Sequence, residues 1–492
     1  MSEWKKVFEN NVSLYCRIII QYLIKSGWKC ISIDDYTKKM PDFPVREAVL
    51  SKFYKKGGLF PIVSQSKDLI SGFSDDEKLL NKISEPIIIF GDHTQVVKYI
   101  DFDFVLGADG TKILTVTNDY NPKFLYYLIK SIDLHSNKYA RHYSKLRKEK
   151  IPFQENSLSL QIKIASFLDS LENNNISDEP YFDKETQKKI LSLQKNSLNI
   201  QLIEKEIESQ KNYIKQLRQN ILQEAIEGKL TADWRKQNPV QKDNPDYDAE
   251  ALFAQIQEEK KNLLATKELK KGNLPKAIRS NKDLLKYPDS WKWARIDDLF
   301  FVTKLAGFEF TEYFHLTERG DIPVVRAQNV RDLTLNKSNL LYIDSKTSEL
   351  LERSALTKPS LLVTFIGAGI GDVGIFEEKE RWHLAPNVAK LEPLKNCEKL
   401  ISIKLIALFM LSSFGQKEIF KYMKATAQPS LSMESIRDIC FPLPPLAEQN
   451  EIVTRVENHL QTVSDLENQI TKREQLIKQL MQSILKDAFE ER

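Results

Sequence analysis

Two stretches of this chain carry the same apolar stripe. Ile203, Ile207, Ile214, Leu217 and Ile221 stand 4, 7, 3 and 4 residues apart, and so do Leu466, Ile470, Ile477, Leu480 and Ile484. Polar Gln210 and Arg473 take the skipped positions, and Glu, Lys and Gln fill most of the rest. Each stretch therefore predicts a long helix with a narrow a/d seam. Identity follows the spacing: Ile214–Glu227 (IKQLRQNILQEAIE) and Ile477–Glu490 (IKQLMQSILKDAFE) share nine of fourteen residues at a constant offset of 263. A helix that occurs twice marks a duplicated chain. A narrow seam needs a partner helix, and the best-matched partner is the other copy. Gly228 follows the first helix where a left-handed C′ residue is expected.

A longer mixed segment precedes each helix. Short β-like runs, Pro86–Phe90 and Leu361–Phe365, lie there among turns and short helices. Both segments then pass through a parallel apolar run (Lys123–Leu128; Ile403–Phe409) and a basic stretch. The second reaches its long helix through the proline-rich run Phe441–Gln449, the first through Ile151-Pro152-Phe153 and Leu158-Ser159-Leu160-Gln161. The expected order is a globule over 1–153, a helical region over 154–230, a charged linker over 231–288, a second globule over 289–440 and a second long helix over 441–492. The linker reads as a surface strap. The 1–27 segment and an insertion near 173–200 break the symmetry.

Composition adds bounds. A net charge of +4 and a pI near 8.5 permit nucleic-acid binding without announcing it. Four scattered cysteines fit neither a zinc knuckle nor a secreted disulfide scaffold, so a reducing cytoplasm is expected. The apolar stretch Ile18-Ile19-Ile20 lies between Arg17 and Lys25, too short to cross a bilayer.

With this duplicated order the chain resembles the specificity subunits of type I restriction-modification systems. The residues that carry the resemblance are the helix exit Ile221–Arg235 (ILQEAIEGKLTADWR) and the lead-in Phe441–Gln449. Ile87–Thr94 (IIIFGDHT) with Gly107–Gly110, and Gly367–Gly374 (GAGIGDVG) with Ala385-Pro386-Asn387, add to it. The resemblance implies an α+β chain: two mixed α/β target-recognition domains separated by two long antiparallel coiled-coil helices with pseudo-twofold symmetry. Each domain would read one half of a split DNA target. The helices would set the spacer and dock modification subunits, two in number. Those partners would hold S-adenosylmethionine and methylate adenine, while restriction subunits would use ATP and Mg2+. A seam of about 25 residues at ~1.5 Å per residue spans roughly 37 Å, close to a turn of B-DNA at about 34–36 Å.

Candidate DNA contacts follow from side-chain chemistry. Lys138–Lys150 interleaves six Lys/Arg with two tyrosines against one Glu, which suits phosphates; Lys138, Arg141, His142 and Lys145 are the candidates there. Lys421, Lys424 and Gln428 stand in the parallel stretch. Arg326, Gln328 and Asn329 are types that read base edges bidentately, and His93 with Thr94 tops a turn. Asp92-His93 with Asp101 and Asp103 lacks a nuclease or metal pattern and reads as support for a DNA-facing loop. The run Phe365–Gly369 invites a cofactor loop, but Asp372 stands where a dinucleotide fingerprint needs its third glycine; a tight turn between strands fits better. No P-loop, helicase signature or nucleophile elbow occurs, which favours a binding subunit over an enzyme. The rivals are a stand-alone S-adenosylmethionine-dependent methyltransferase using the Gly367–Gly371 loop, and a structural coiled-coil adaptor.

Overall fold

The computed structural model describes residues 11–489 apart from 108–109, 118, 133, 135–140, 174–181, 270–285, 368 and 422–429. The chain forms two compact units, Met1–Ile207 with Lys472–Arg492, and Glu208–Thr471.

In the first unit, α1 (Asn11–Lys25) precedes β1 (Lys29–Ser32), which pairs antiparallel with β9 (Lys150–Phe153). Between them lie β2 (Phe60–Val63), β3 (Gly72–Ser74), β4 (Leu80–Asn81), β5 (Ile87–Gly91), β6 (Val97–Ile100), β7 (Phe104–Leu106) and β8 (Thr111–Leu114). One sheet has the order β3-β2-β7-β4 and the other β6-β5-β8. The run Ile87-Ile88-Ile89-Phe90 is buried throughout, the pattern of a central strand covered on both faces. Helix α2 (Pro122–Lys130) follows, with Asn121 as its N-cap and Pro122 in the first turn. The core gathers α1, α2 and β5, including Tyr15, Ile19, Phe90 and Phe124. Thus the 1–27 segment is a core helix in its described part.

The second unit repeats this plan. Its strands are β10 (Lys292–Arg295), β11 (Phe300–Lys304), β12 (Ile322–Val325), β13 (Val330–Arg331), β14 (Thr334–Leu335), β15 (Leu341–Ile343), β16 (Ala355–Leu356), β17 (Ser360–Thr364), β18 (Val373–Phe376), β19 (Trp382–Leu384), β20 (Val388–Pro393) and β21 (Cys440–Leu443). The order β15-β12-β19-β16 matches β3-β2-β7-β4 strand for strand. The parallel strand pair of each of these sheets falls at the same place: Ile62 opposite Val105 in one unit, Val324 opposite His383 in the other. Likewise β11-β20-β17-β18 extends the plan of β6-β5-β8, and the bridge Thr37–Val116 stands where β11 pairs with β20. β10 pairs with β21 as β1 does with β9. The expected edges at 153 and 440 therefore fall at or within these closing strands. Trp28-Lys29 with Ile33-Asp34-Asp35 recurs as Trp291-Lys292 with Ile296-Asp297-Asp298, at the same offset of 263 as the long helices.

The helical region of the first copy is two helices, α3 (Leu158–Glu172) and α4 (Lys184–Ile226, 43 residues). Helix α5 (Ala249–Ala265) and α6 (Ile403–Leu411) belong to the second unit, and α7 (Leu446–Phe489) runs 44 residues unbroken. Later residues of α4 meet earlier residues of α7: Arg218 pairs with Glu467 at 3.4 Å, and Thr231, just past α4, bonds Glu448 at 2.7 Å. The helices are therefore antiparallel. Gly228 ends α4 with φ +66°, as its sequence position predicts, and the Lys229 N–H closes on the Glu224 carbonyl.

Two expectations need correction. The seam is narrower than an a/d pair of rows. Ile207, Ile214, Ile221, Ile470 and Ile477 are buried, but Ile203, Leu217, Leu466 and Leu480 are 38–47% exposed and Ile484 is half-buried. One residue per heptad is buried; the intervening row is partly exposed, with Ile484 packed against the first core. The linker is also more than a strap. Helix α5 buries Leu252, Ile256 and Leu263 in the second core beside Ile296 and Leu299, because its apolar residues recur at helical spacing. Pro245 and Asp246 also accept, through their carbonyls, the Leu446 and Ala447 N–H groups that open α7. That is the role of Asn244-Pro245-Asp246-Tyr247.

Candidate nucleic-acid interface

Equivalent loops converge at one edge of each unit. In the first unit they are the segment after β2, the β5–β6 turn and the β7–β8 connection. Gln65 ties two of them, its Oε1 accepting the His93 N–H at 3.3 Å and its backbone carbonyl the Thr94 hydroxyl at 2.8 Å. The third closes on the turn, the Asp92 N–H donating to the Gly110 carbonyl at 2.7 Å. Gly110 has φ +86°, and a side-chain carbon there would fall 2.8 Å from the His93 ring. Asp92 is buried and anchors the basic stretch: its Oδ1 accepts the Tyr143 N–H at 2.7 Å and its carbonyl the His142 N–H at 2.9 Å. The carboxylate thus supports a loop, as its sequence context suggests.

Lys98 on β6 is buried and holds the first loop from below, donating to the carbonyls of Asp68 and Leu69. Burial pushes its ammonium down to about 8. In the unfolded chain a lysine titrates near about 10.4, so between these values the unfolded state binds more protons and stability rises with pH. Relative to Lys98→Met, wild-type stability in urea titrations is expected to gain on the order of 1 kcal/mol from pH 8 to pH 9. A difference that stays flat across that window would show an ordinary lysine.

In the second unit the segment after β12, the β17–β18 turn and the β19–β20 connection occupy the same places. Ala385 N–H donates to the Val325 carbonyl at 2.9 Å and Phe365 N–H to the Asn387 carbonyl at 3.1 Å. The stretch after α6 returns to this turn, Leu431 N–H reaching the Phe365 carbonyl at 2.9 Å. The glycine-rich run is a hairpin turn, with Val363 opposite Val373 and positive φ at Gly367 and Gly371. Its Asp372 is bound by Arg331, and Gln416 donates to the Gly371 carbonyl at 3.1 Å. GDHT and GAGIGD, which look unrelated in sequence, are the same turn on the same scaffold.

Several candidate side chains face inward. His142 is buried, with the Gln95 amide 3.4 Å from its ring, so it supports the turn and cannot reach a groove. Asn329 is buried as well: its Oδ1 accepts the Arg326 N–H at 3.0 Å and its Nδ2 donates to the Asn336 carbonyl at 2.8 Å, so its amide shapes the loop. Arg326 is half-buried and its guanidinium is held by the Asn339 carbonyl. Lys421 is exposed but lies 3.5 Å from Glu418. Thr94, Arg141, Lys145 and Gln328 are exposed and His93 half-exposed. Lys138, Lys424 and Gln428 lie outside the described residues. Sequence reasoning missed Gln65, Lys98 and Arg331, whose roles come from partners 28 to 41 residues away. Among the described residues no cluster of His, Cys, Asp or Glu could hold a metal, and no helix is long and apolar enough to cross a membrane.

A polar joint links the second domain to both helices. Glu448, 1% exposed, accepts the Thr231 hydroxyl at 2.7 Å and the Trp291 indole N–H at 2.8 Å, and pairs with Arg235. Arg235 also donates to the Gly228 carbonyl and lies over the Trp291 ring at 5.8 Å. Arg455 adds a pair to Asp233 at 2.6 Å and a bond to the Leu230 carbonyl at 2.9 Å. The helix exit GKLTADWR and the lead-in PLAEQ thus meet in one network.

Residues 288–475 match the family described as Type I restriction modification DNA specificity domain. The specificity subunit of the Type I restriction enzyme EcoBI of Escherichia coli is 29% identical over 168 residues, 34% of this chain and 35% of that protein. The EcoAI specificity subunit of Escherichia coli is 25% identical over 255 residues, 51% of this chain and 40% of that protein. The matched stretches are thus well under half of these relatives' length. The crystal structure of the HsdS subunit from Thermoanaerobacter tengcongensis aligns with 94% of this chain and 96% of that one, at 13% identity and a TM-score of 0.41. A chain from a structure of the type I R-M system aligns with 94% of this chain and 98% of that one, at 13% identity and a TM-score of 0.46. Residues 288–475 thus match a type I DNA specificity domain, and over the aligned stretches the chain is similar to the specificity subunits of type I restriction enzymes.

Proposed function

We propose that this chain is the non-catalytic DNA-reading subunit of a type I complex and recognises a split, asymmetric target. The observation that carries this is the repetition of one loop scaffold with different side chains. Thr94 and His93 occupy the turn that Gly367–Asp372 occupies in the second unit, and Gln65 stands after β2 where Arg326 and Gln328 stand after β12. One scaffold with two sets of side chains suits two different half-sites. Exposed Arg141 and Lys145 supply phosphate contacts beside the first set, with Lys138, Lys421, Lys424 and Gln428 as further candidates. The half-exposed row Ile203, Leu217, Leu466 and Leu480 offers the helices' apolar faces to modification subunits, two by the implied symmetry. S-adenosylmethionine would be held by those partners, and ATP and Mg2+ by restriction subunits. The methyltransferase alternative loses its main support, since its loop is a hairpin turn with Asp372 bound by Arg331.

Methylation mapping tests this reading. Co-expressed with its companion modification subunit, the chain is expected to direct adenine methylation to one two-part motif with a fixed gap. Gln328→Ala should weaken or relax one half only, by roughly 1–3 kcal/mol for a lost bidentate contact. Absence of any motif, together with cofactor binding by the isolated chain, would overturn the reading.

A further inference from the structure

The segment that leads into β2 has a composition unlike that of its counterpart. Residues 37–59 carry six Lys/Arg against two acidic residues, whereas residues 305–321, between β11 and β12, carry one Arg against four. The basic segment also exposes large apolar side chains: Phe53 is 60% exposed and Leu59 75%. A short helical turn over Ser51–Phe53 displays the phenylalanine, and Lys52 Nζ lies 5.0 Å from its ring centroid. Lys55 pairs with Asp75 at 2.7 Å, but among the described residues no ion pair holds Lys52 or Lys56. This segment is fastened to the loop edge described above. Val49 N–H donates to the Leu106 carbonyl at 2.8 Å, and a side-chain carbon at Gly107 would fall 2.5 Å from the Tyr54 hydroxyl.

An exposed phenylalanine flanked by unpaired lysines is poorly suited to water and well suited to DNA, where lysines meet phosphates and an aromatic face meets sugar or base. We propose that Lys52, Phe53 and Lys56 form a DNA-contacting arm on the first unit, for which the second unit has no basic counterpart. Lys52 and Lys56 sit on backbone phosphates and Phe53 packs against the exposed face of a sugar or base beside the first half-site. The arm makes the first unit the tighter-binding half and gives it most of the salt dependence. This rests on the DNA-reading function proposed above.

The test uses the full chain and a fluorescein-labelled duplex carrying the motif found by methylation mapping, titrated at several salt concentrations. Lys52→Ala with Lys56→Ala is expected to reduce the slope of log affinity against log salt by about 1.8, at ~0.9 per phosphate contact. Phe53→Ala is expected to lower affinity roughly 5- to 150-fold with the slope unchanged. All three side chains are exposed, so thermal unfolding should match wild type. Wild-type affinity and slope in both variants, on a duplex the parent chain binds, would overturn the arm and leave the DNA-reading function standing. A parent chain that yields no motif and binds no duplex would overturn both.

Discussion

Glu448→Ala is expected to destabilise the second unit by about 3–5 kcal/mol, the usual cost of removing one partner from a buried ion pair. The carboxylate is almost completely enclosed and is the common acceptor for Thr231, Arg235 and Trp291. Its loss strands the Arg235 guanidinium and the indole N–H without their acceptor. Glu448→Gln keeps the shape and one acceptor oxygen but removes the charge, so an intermediate loss is expected. Glu451→Ala one turn later removes a half-buried i,i+4 contact to Arg455 and should cost under about 1 kcal/mol. Urea unfolding followed by tryptophan fluorescence separates these cases. A Glu448→Ala midpoint within about 1 kcal/mol of wild type would show that the network is not what joins Trp291 to the two helices.

The joint also shows which features could be read from the sequence. The long helices were legible because their apolar spacing is local and recurs with nine of fourteen residues identical, and Gly228 because a helix end favours a left-handed residue. The lead-in and exit motifs were visible as words, but nothing local says that Glu448 meets Thr231, more than 200 residues earlier. The shared loop scaffold was hidden for a related reason. GDHT and GAGIGD have little in common as strings, and their equivalence rests on the same strand order and on the same parallel pair. Trp28-Lys29…Ile33-Asp34-Asp35 and its copy at 291–298 were open to reading and carry the same offset as the helices. Candidate DNA contacts are the hardest to read from sequence. Asn329 and His142 have suitable chemistry, but folding turns both inward, and side-chain type alone does not report direction. The α5 linker was misread because its charged composition masks the few apolar positions, Leu252, Ile256 and Leu263, that decide its placement.

The duplication makes its own prediction. Gln161 and Gln449 are fully buried polar residues in the first turn of α3 and of α7. The Oε1 of Gln161 accepts the Asn121 N–H at 2.9 Å, and the Oε1 of Gln449 accepts the Ser402 N–H at 2.9 Å. Asn121 and Ser402 are the N-caps of α2 and α6, so each glutamine fastens a domain helix to a spacer helix by the same bond. A second contact repeats with it: Lys123 pairs with Asp169 at 2.7 Å and Lys404 with Glu457 at 2.8 Å. The partly exposed ion pairs contribute little, whereas a buried N–H left without its acceptor costs about 1–3 kcal/mol. Gln161→Leu and Gln449→Leu are each expected to lose that amount, and the double variant about their sum, since the two sites share no partner. Calorimetry distinguishes the sites further if two transitions resolve: Gln161→Leu should lower one and Gln449→Leu the other. A double variant no less stable than either single would show that the two clamps are not independent copies, and the duplicated plan would then stop at the strand order.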